Sequence, residues 1–264
     1  MSNLKKVLLE KVSCKSIWIM RQAGRYLPEF QKIRSENPDF IKLCLNSELS
    51  SEITLQPIKR FNLDAAIIFS DILMVPYALG QGVAFEKDQG PKLSKFDINI
   101  FLNNDEKKFS SKLSPIYKAI EITRKKLNKE KSLISFVGAP WTLLIYMLNL
   151  RNDYKGLHLD KLNMDFDLIL EELNKYLCIH IKNQIDAGSD VVQIFDSWAG
   201  LIPSPMLDNF CFTPNKKIVD FCKKENIPSI CFPKGLKQKY EDFNNFVTPN
   251  GINLDSEIDP IWAR

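Results

Sequence analysis

Two arginines four positions apart, Arg21 and Arg25, flank a glycine turn at Gly24 behind a short apolar run. Arginine is scarce in this chain, since only 7 of its 36 basic residues are Arg and the other 29 are Lys. A guanidinium binds carboxylates or phosphates through two parallel hydrogen bonds and stays charged when partly desolvated, which an ammonium does poorly. The pair therefore predicts an anion-binding site. The alternative is a structural pair that caps a helix or meets Glu29.

Further polar residues could take part in chemistry because they lie at the ends of apolar segments. Asp71 separates two such segments, where a carboxylate either caps the next element or acts as a functional acid. Asp196 and Ser197 end another segment, and we expect one to cap the next element and the other to face a pocket. For Tyr146, position alone favours a core tyrosine with a satisfied hydroxyl.

The two histidines and six cysteines show no catalytic or metal-binding pattern. His158 and His180 lie away from the apolar segments, and we interpret His180, on a helical segment, as structural. There is no Cys-x-x-Cys pair and no zinc-site spacing. No Ser-His or Cys-His pair can be nominated as nucleophile and base. We therefore predict no metal, and the cysteine usage suits a reducing compartment.

The bulk composition excludes several classes of protein. The hydrophobic share of 45% and the charged share of 26% are ordinary for a soluble globular protein of 264 residues. A net charge of +4 is too small to indicate nucleic acid. There is no signal-peptide pattern and no apolar run long enough to span a membrane. We expect a cytoplasmic protein without nucleic-acid or membrane partners.

Six short apolar runs are typical of strands buried on both faces, as in a parallel sheet. They are 16–20, 65–70, 133–138, 191–195, 229–232 and 251–254. Helical patterns lie between them, at 48–61, 115–127, 166–187 and 214–224. Asn46, the Ser114-Pro115 pair and Gly188 are predicted as helix caps, and Pro57 predicts a kink or an early end. The alternation predicts an α/β fold.

Polar residues come directly after these runs, and they are Arg21, Asp71, Asp196, Ser197, Lys234 and Asp255. In a parallel barrel these positions meet at the C-terminal face, whereas in an open doubly wound sheet they line a crevice. The sequence contains neither the dinucleotide-binding glycine fingerprint nor a phosphate-binding loop motif. We therefore favour the barrel.

Four segments resemble the signatures of the uroporphyrinogen decarboxylase family, in the order in which that family has them. Residues 18–30 resemble its N-terminal signature, and residues 69–80, 138–147 and 194–200 resemble three later ones. The resemblance implies a (β/α)8 TIM barrel that forms a homodimer and acts in haem biosynthesis. The implied reaction removes the four acetate carboxylates of uroporphyrinogen III, giving coproporphyrinogen III and CO2, without a metal or organic cofactor.

The same resemblance implies the roles of individual residues. The implied catalytic residues are Asp71, Arg21 and Arg25. The implied substrate-binding residues are Arg21, Gln22, Ala23, Gly24, Arg25, Asp71, Tyr146 and Ser197. Arginine suits a substrate with eight carboxylates. Asp71 is expected to accept hydrogen bonds from the pyrrole N–H groups, while Tyr146 and Ser197 bind a carboxylate. Arg21 is expected to help deliver the proton.

The sequence departs from the family after the segment 251–264, where further strands and a late histidine are expected. We therefore predict one barrel domain over residues 1–264, truncated at its C-terminus, with about six βα units. Two alternatives stay open. One is a barrel methyltransferase of the same superfamily, which needs a zinc-binding set near Cys231. The other is a non-catalytic fragment that only binds porphyrinogen.

Overall fold

The structure, a computed structural model, describes residues 1–10, 12, 15–23, 26–86, 90–152 and 164–263. Its helices are α1 (Asn3–Glu10), α2 (Pro28–Glu36), α3 (Phe40–Cys44), α4 (Ser47–Arg60), α5 (Met74–Ala78), α6 (Ile98–Leu102), α7 (Glu106–Lys126), α8 (Pro140–Met147), α9 (Phe166–Asp186), α10 (Thr213–Lys224) and α11 (Tyr240–Val247). Its strands are β1 (Ala65–Ile67), β2 (Val83–Glu86), β3 (Gly90–Leu93), β4 (Ser132–Gly138), β5 (Val191–Asp196), β6 (Ser229–Pro233) and β7 (Gly251–Ile252).

Five strands form one parallel sheet in the order β1-β4-β5-β6-β7, and β2 and β3 form a separate antiparallel hairpin. The parallel strands keep chain order without a reversal. A doubly wound sheet reverses its strand order at a switch point, whereas the wall of a barrel does not. The sheet is therefore the wall of an α/β barrel, as the sequence predicts, and five of the six predicted strands are confirmed.

The prediction of a strand at 16–20 is wrong. The segment runs beside β1, where the Asp64 N–H donates to the Ile17 carbonyl at 2.8 Å. The return bond is made by a side chain, because the Ile17 N–H donates to Asp64 Oδ2 at 2.7 Å. A carboxylate in place of a main-chain acceptor stops the ladder. Ile17 and Ile19 are accordingly 62% and 48% exposed.

The helix predictions are confirmed in part. Asn46 caps α4, and Gly188 comes after α9 with a left-handed φ of +111°. Pro57 does not end α4, which continues to Arg60 because the Phe61 N–H still bonds the Pro57 carbonyl. The predicted start at Ser114-Pro115 is wrong, since α7 begins at Glu106.

The serine before Pro115 allows α7 to contain an internal proline. Pro115 has no N–H to donate to the Ser111 carbonyl, one turn earlier. The Ser114 hydroxyl donates to that carbonyl instead, at 2.8 Å. The Ser114-Pro115 pair predicts a helix start from sequence alone. Inside the helix, the serine hydroxyl instead satisfies the carbonyl that the proline cannot bond.

The two faces of the sheet are covered differently. The main core lies between the sheet and helices such as α4, α7, α9 and α10, and it includes Trp141, which is fully buried. On the other face a smaller cluster contains Leu4 of α1 together with Ile67, Ile134 and Ile230. The Ser2 and Ser132 hydroxyls are hydrogen-bonded, so α1 crosses the sheet where its strands begin. The opposite end, where the strands finish, is left for the site.

No helix in the described part of the chain is both long enough and apolar enough to cross a membrane.

Candidate active site

The candidate site lies where the parallel strands end. Asp71 comes soon after β1, Tyr146 is on α8, which comes directly after β4, and Ser197 follows β5. Burial raises the pKa of Tyr146 and the Trp198 indole lowers it, and the nearby charges of Asp71, which raises it, and of Arg151 and Arg21, which lower it, act on the same hydroxyl. The fold therefore brings residues from separate segments of the chain to one place.

Asp71 provides a half-buried carboxylate with one oxygen already in use. Its Oδ1 accepts a hydrogen bond from the Leu73 N–H at 2.8 Å, which caps the turn leading into α5. Burial raises the pKa of Asp71 to about 6, although the Leu73 N–H opposes this. Its Oδ2 has no hydrogen bond to any residue that the structure describes. Asp71 thus combines the two roles that the sequence leaves open: one oxygen caps, and the other is available to a ligand.

Arg21 is exposed and has no hydrogen bond or ion pair to a described residue. The alternative that Arg21 pairs with Glu29 is wrong. Both carboxylate oxygens of Glu29 are taken by Arg60, at 3.0 and 2.9 Å. Within the described part of the chain, Arg21 is therefore available to bind an anion from solution.

The loop behind Arg21 is anchored to the sheet. Gln22 is 2% exposed, and its Nε2 donates to the Ala65 carbonyl of β1 at 3.0 Å. Ala23 packs against the small cluster that contains Leu27. Gln22 and Ala23 therefore position the loop in this structure. Gly24 and Arg25, and likewise His158, lie outside the described residues.

Tyr146 is half-buried and packs edge-on against Trp198, with 6.1 Å between the ring centroids. Burial raises the pKa of the Tyr146 hydroxyl, and the nearby Trp198 indole opposes this. Neither polar group has a hydrogen bond of ordinary length to a described residue, and Trp198 Nε1 is buried. The Trp198 indole is thus the polar neighbour of the Tyr146 hydroxyl.

Asp196 and Ser197 have different roles, but the prediction that one of them caps the next element is wrong, since the 3-10 turn Ala199–Leu201 has Trp198 as its N-cap and no side-chain capping bond. Asp196 is 1% exposed and accepts hydrogen bonds from Thr142 Oγ1 at 2.8 Å and Asn215 Nδ2 at 3.0 Å. Burial raises its pKa to about 6, and these donors oppose the shift. Ser197 is half-buried, and its hydroxyl has no bond to a described residue. Asp196 is structural, and the Ser197 hydroxyl is available to a ligand.

Replacement of Asp196 tests this division. Asp196→Ala leaves the buried Thr142 hydroxyl and the Asn215 amide without their acceptor, so we expect a loss of about 2–4 kcal/mol in the free energy of unfolding. Ser197→Ala is the matched control and should cost less than about 0.5 kcal/mol. Urea unfolding followed by circular dichroism measures both. Equal effects of the two substitutions would contradict the assignment.

The remaining candidates lie in the structural core. His180 Nδ1 and the Tyr117 hydroxyl are hydrogen-bonded at 3.0 Å, and burial lowers the pKa of His180 to about 3, so the imidazole is neutral. The structural interpretation of His180 is thus confirmed. The five described cysteines are unpaired. Over the described ranges, no three His, Cys, Asp or Glu side chains are grouped so that they could hold a metal ion.

Two residues of the site are missed by sequence reasoning. Trp198 lies inside the segment 194–200, but nothing in its spacing indicates a buried indole N–H beside Tyr146. Arg151 lies in the turn Leu150–Asn152 after α8. The scarcity of arginine, which draws attention to Arg21, is a signal that could have identified it.

Comparisons with known proteins identify the family of this chain. The family described as "Uroporphyrinogen decarboxylase (URO-D)" matches residues 4–264. A uroporphyrinogen decarboxylase of Orientia tsutsugamushi (strain Ikeda) is 45% identical over 249 residues, which cover 92% of this chain and 72% of that protein. One of Jannaschia sp. (strain CCS1) is 37% identical over 275 residues, covering 100% of this chain and 80% of that protein.

A solved structure supports the fold separately. A methyltransferase from Methanosarcina mazei superposes with a TM-score of 0.70 over 96% of this chain and 75% of that one. The sequence identity is only 14%, so this likeness concerns the fold alone. The match to the family extends over nearly the whole chain, and relatives above 30% identity carry the same name. The chain therefore belongs to the uroporphyrinogen decarboxylase family.

Proposed function

We propose that this protein is a uroporphyrinogen decarboxylase, a carboxy-lyase of haem biosynthesis. It removes the four acetate carboxylates of uroporphyrinogen III as CO2 and releases coproporphyrinogen III. The membership of the family supports the reaction. The observation that carries the assignment to this site is the position of Asp71, Tyr146 and Ser197 after three strands of one parallel sheet, with Asp71 and Arg21 near enough for their charges to act on the pKa of Tyr146.

Arg21 binds a substrate carboxylate in this proposal. The substrate has eight carboxylates, and a guanidinium can hold one of them through two parallel hydrogen bonds. Arg21 is exposed and has no partner among the described residues, so no ion pair with them has to be broken first. A guanidinium is a poor acid. We therefore assign the acid itself to a protonated substrate carboxyl group that Arg21 orients.

Decarboxylation of a pyrrole acetate needs an electron sink, and the ring becomes one when it is protonated. A proton adds to the pyrrole α-carbon next to the ring carbon that bears the acetate, and the ring becomes cationic. The bond to the carboxylate then breaks, its electron pair neutralises the ring, and CO2 leaves. A second proton adds to the exocyclic methylene carbon, and loss of the first proton restores the pyrrole with a methyl group.

Asp71 stabilises the cationic ring in this sequence. Its Oδ1 is held by the Leu73 N–H, so the available Oδ2 has a fixed direction. That oxygen accepts hydrogen bonds from the pyrrole N–H groups, and its charge is placed before the ring becomes positive. Preorganised charge of this kind costs no reorganisation during the reaction and is a large contribution to catalysis.

Tyr146 and Ser197 bind a second carboxylate. Both hydroxyls are half-buried, and neither has a hydrogen bond of ordinary length to a described residue. They come from adjacent strands, because α8 comes after β4 and Ser197 follows β5. A carboxylate accepts two such hydrogen bonds and thereby satisfies both groups.

The rate should fall in acid because Asp71 must be ionised. The pKa of Asp71 is about 6 in the protein without substrate. We expect kcat/KM to be level above this pH and to fall about tenfold per pH unit below it. A pH profile of kcat/KM measures this, and a profile that stays level down to about pH 5 would count against an essential Asp71 anion.

Unfolding does not account for that expected loss of rate. The pKa values of Asp71 and Asp196 are both raised to about 6, from an ordinary value of 3.8. A carboxyl with a raised pKa contributes stability that is present below pH 3.8 and is lost as the pH rises through about 6. These two groups therefore stabilise the fold as the pH falls from about 6. Circular dichroism at each pH separates the two effects.

Turnover distinguishes the proposed reaction from the alternatives. The purified protein is incubated with uroporphyrinogen III without oxygen, and the products are oxidised and separated by their number of carboxylates. Four-carboxylate product supports the proposal. Porphyrinogen binding without product supports a binding fragment, and zinc in the purified protein favours a methyltransferase. Cys231 is fully buried, and no described group of side chains suits a metal, so the structure gives the last alternative no support.

We also propose that the protein is a cytoplasmic homodimer. The five unpaired cysteines among the described residues suit a reducing compartment. The dimer rests on the family resemblance, and light scattering of the purified protein tests it.

A further inference from the structure

We propose that Thr142 is a positioning residue, whose buried hydroxyl holds Ser197 beside Tyr146 so that both hydroxyls can bind one substrate carboxylate. This inference rests on the proposed function and deepens it, because Thr142 acts through Ser197 and not by contact with the substrate. Thr142 lies on α8, one turn before Tyr146, and it is fully buried.

The Thr142 hydroxyl bonds the backbone on both sides of Ser197. It donates to Asp196 Oδ1 at 2.8 Å and accepts the Trp198 N–H at 3.2 Å. The Trp198 N–H belongs to the same planar peptide unit as the Ser197 carbonyl, so this bond fixes the orientation of that unit. Ser197 is therefore attached to α8 through the residue before it and the residue after it.

Asp196 fixes the direction of the Thr142 hydroxyl. The Asp196 Oδ2 accepts Asn215 Nδ2 at 3.0 Å, and its Oδ1 is the acceptor for Thr142. A hydroxyl has one proton and two acceptor lone pairs, whereas a carboxylate can only accept. The Thr142 proton therefore points to Asp196, and a lone pair is left for the Trp198 N–H. All three side chains are at most 1% exposed, so bulk water does not compete for these bonds.

Two further contacts from α8 hold the same segment. The Trp141 Nε1 donates to the Trp198 carbonyl at 2.9 Å, and the Tyr146 ring packs edge-on against the Trp198 ring. Both backbone polar groups of Trp198 are thus bonded to α8 side chains. Strand β5 ends at Asp196, and from there α8 holds the chain.

The role requires that the two carboxylate-binding hydroxyls be held together before the substrate binds. Tyr146 and Ser197 lie on different segments, and Thr142 bonds the segment of Ser197 to the helix of Tyr146. Hydrogen bonds weaken steeply when their angle departs from linearity, and groups that are already in place lose less entropy on binding. Without the Thr142 hydroxyl, Ser197 is free to move away from Tyr146, and the affinity for the carboxylate falls.

The test measures the Kd of uroporphyrin I, a fluorescent macrocycle with eight carboxylates, for the full chain. Thr142→Val removes the hydroxyl and keeps the shape, whereas Thr142→Ser keeps the hydroxyl. We expect Thr142→Val to raise the Kd about tenfold, the effect of about one lost hydrogen bond. Thr142→Ser should stay within about twofold of the wild type, because both bonds are retained.

Thr123→Val is the matched control. Thr123 is a fully buried threonine on α7, and its hydroxyl donates to the Ala119 carbonyl at 2.7 Å and to Ser51 Oγ at 2.9 Å. Its loss should lower the midpoint of urea unfolding, as Thr142→Val does, because each substitution removes a buried hydroxyl that is hydrogen-bonded. The Kd of Thr123→Val should equal that of the wild type, since α7 carries no residue of the site.

A double-mutant cycle shows whether Thr142 acts through Ser197. Ser197→Ala alone should raise the Kd about tenfold. Adding Thr142→Val should raise it less than about twofold further, because the hydroxyl that Thr142 positions is already gone. Full additivity of the two substitutions overturns the positioning role. A wild-type Kd for Thr142→Val, or an equal rise in Thr123→Val, also overturns it.

Two further outcomes are decided by the same measurements. If Thr142→Val does not fold, Thr142→Cys, whose thiol is a weak donor and acceptor, replaces it in the cycle under the same criteria. Wild-type binding without turnover overturns the proposed reaction, and the Kd values still decide the role of Thr142. Absence of wild-type binding overturns both.

Discussion

Asp71→Asn should reduce kcat/KM by about 10²–10³-fold while leaving the fold intact. The amide has nearly the shape of the carboxylate, and its oxygen can still accept the Leu73 N–H bond that holds Asp71. The other end of the asparagine amide is then an N–H2 group, and this group, not an anion, faces the pyrrole N–H donors. The cationic ring loses its counter-charge, and a donor faces a donor.

The stability of this variant gives a second, opposite expectation. Burial raises the pKa of Asp71 to about 6, which means that the folded protein disfavours its charge at neutral pH. Removing that charge should leave the free energy of unfolding at neutral pH unchanged or increase it. A loss of activity with equal or higher stability is the pattern of a functional acid that is costly to bury. Kinetics and urea unfolding measure the two expectations on one sample.

The matched control for Asp71→Asn is Asp105→Asn. Asp105 also caps a helix, accepting the Lys108 N–H at 2.7 Å, and asparagine is an equally good cap. Its kcat/KM should stay within about twofold of the wild type, because the cap is preserved and the residue is not at the site. Undiminished turnover in Asp71→Asn would contradict the role in stabilising the cation.

Arg21→Met should have an effect of similar size, about 10²-fold or more in kcat/KM, because two charge-assisted hydrogen bonds to a substrate carboxylate are lost. Arg21 has no described partner inside the protein, so we expect no change in the free energy of unfolding. Arg21→Lys should recover only part of the activity, since an ammonium cannot make the parallel pair of bonds.

Arg60→Met is the matched control for Arg21→Met. Arg60 is a surface arginine with a carboxylate partner at 2.9 Å. It should leave kcat/KM unchanged, because its partner Glu29 is not at the site. If Arg60→Met and Arg21→Met reduce kcat/KM equally, the loss reflects general surface charge, and the specific role of Arg21 is wrong.

The sheet could be predicted from sequence because its strands are buried on both faces. The uninterrupted apolar runs that form β4 and β5 could adopt few other stable structures. The failure at 16–20 has a local cause, since the Asp64 carboxylate takes the Ile17 N–H that a ladder would need. No apolar pattern reveals such a bond between residues that are distant in the sequence.

The predicted start of α7 at Ser114-Pro115 is wrong because a side-chain hydrogen bond changes what these two residues do. Ser114 followed by Pro115 is a strong signal for the beginning of a helix. The same two residues also fit inside a helix when the serine hydroxyl satisfies the carbonyl that proline leaves without a donor, as it does here. The choice between the two depends on the Asp105 cap upstream, which gives the helix an earlier start.

The site was predictable where its residues lie at strand ends and only partly elsewhere. Asp71 and Ser197 come just after strands, so their common location is a consequence of parallel topology. Trp198 and Arg151 join the site through tertiary packing. The indole lies against Tyr146, and the turn of Arg151 is held by the bonds of Gln81 and Asn149. Such contacts exist only once the chain is folded.

The position of the macrocycle relative to Asp71 tests the central claim most directly. A crystal structure of the protein with coproporphyrinogen III, prepared without oxygen, gives the distances from Asp71 Oδ2 to the four pyrrole nitrogens. We predict that these nitrogens lie about 2.7–3.2 Å from the Asp71 carboxylate, with substrate carboxylates at Arg21 and Tyr146. A macrocycle bound elsewhere, or bound here with its nitrogens turned away from Asp71, would contradict the account.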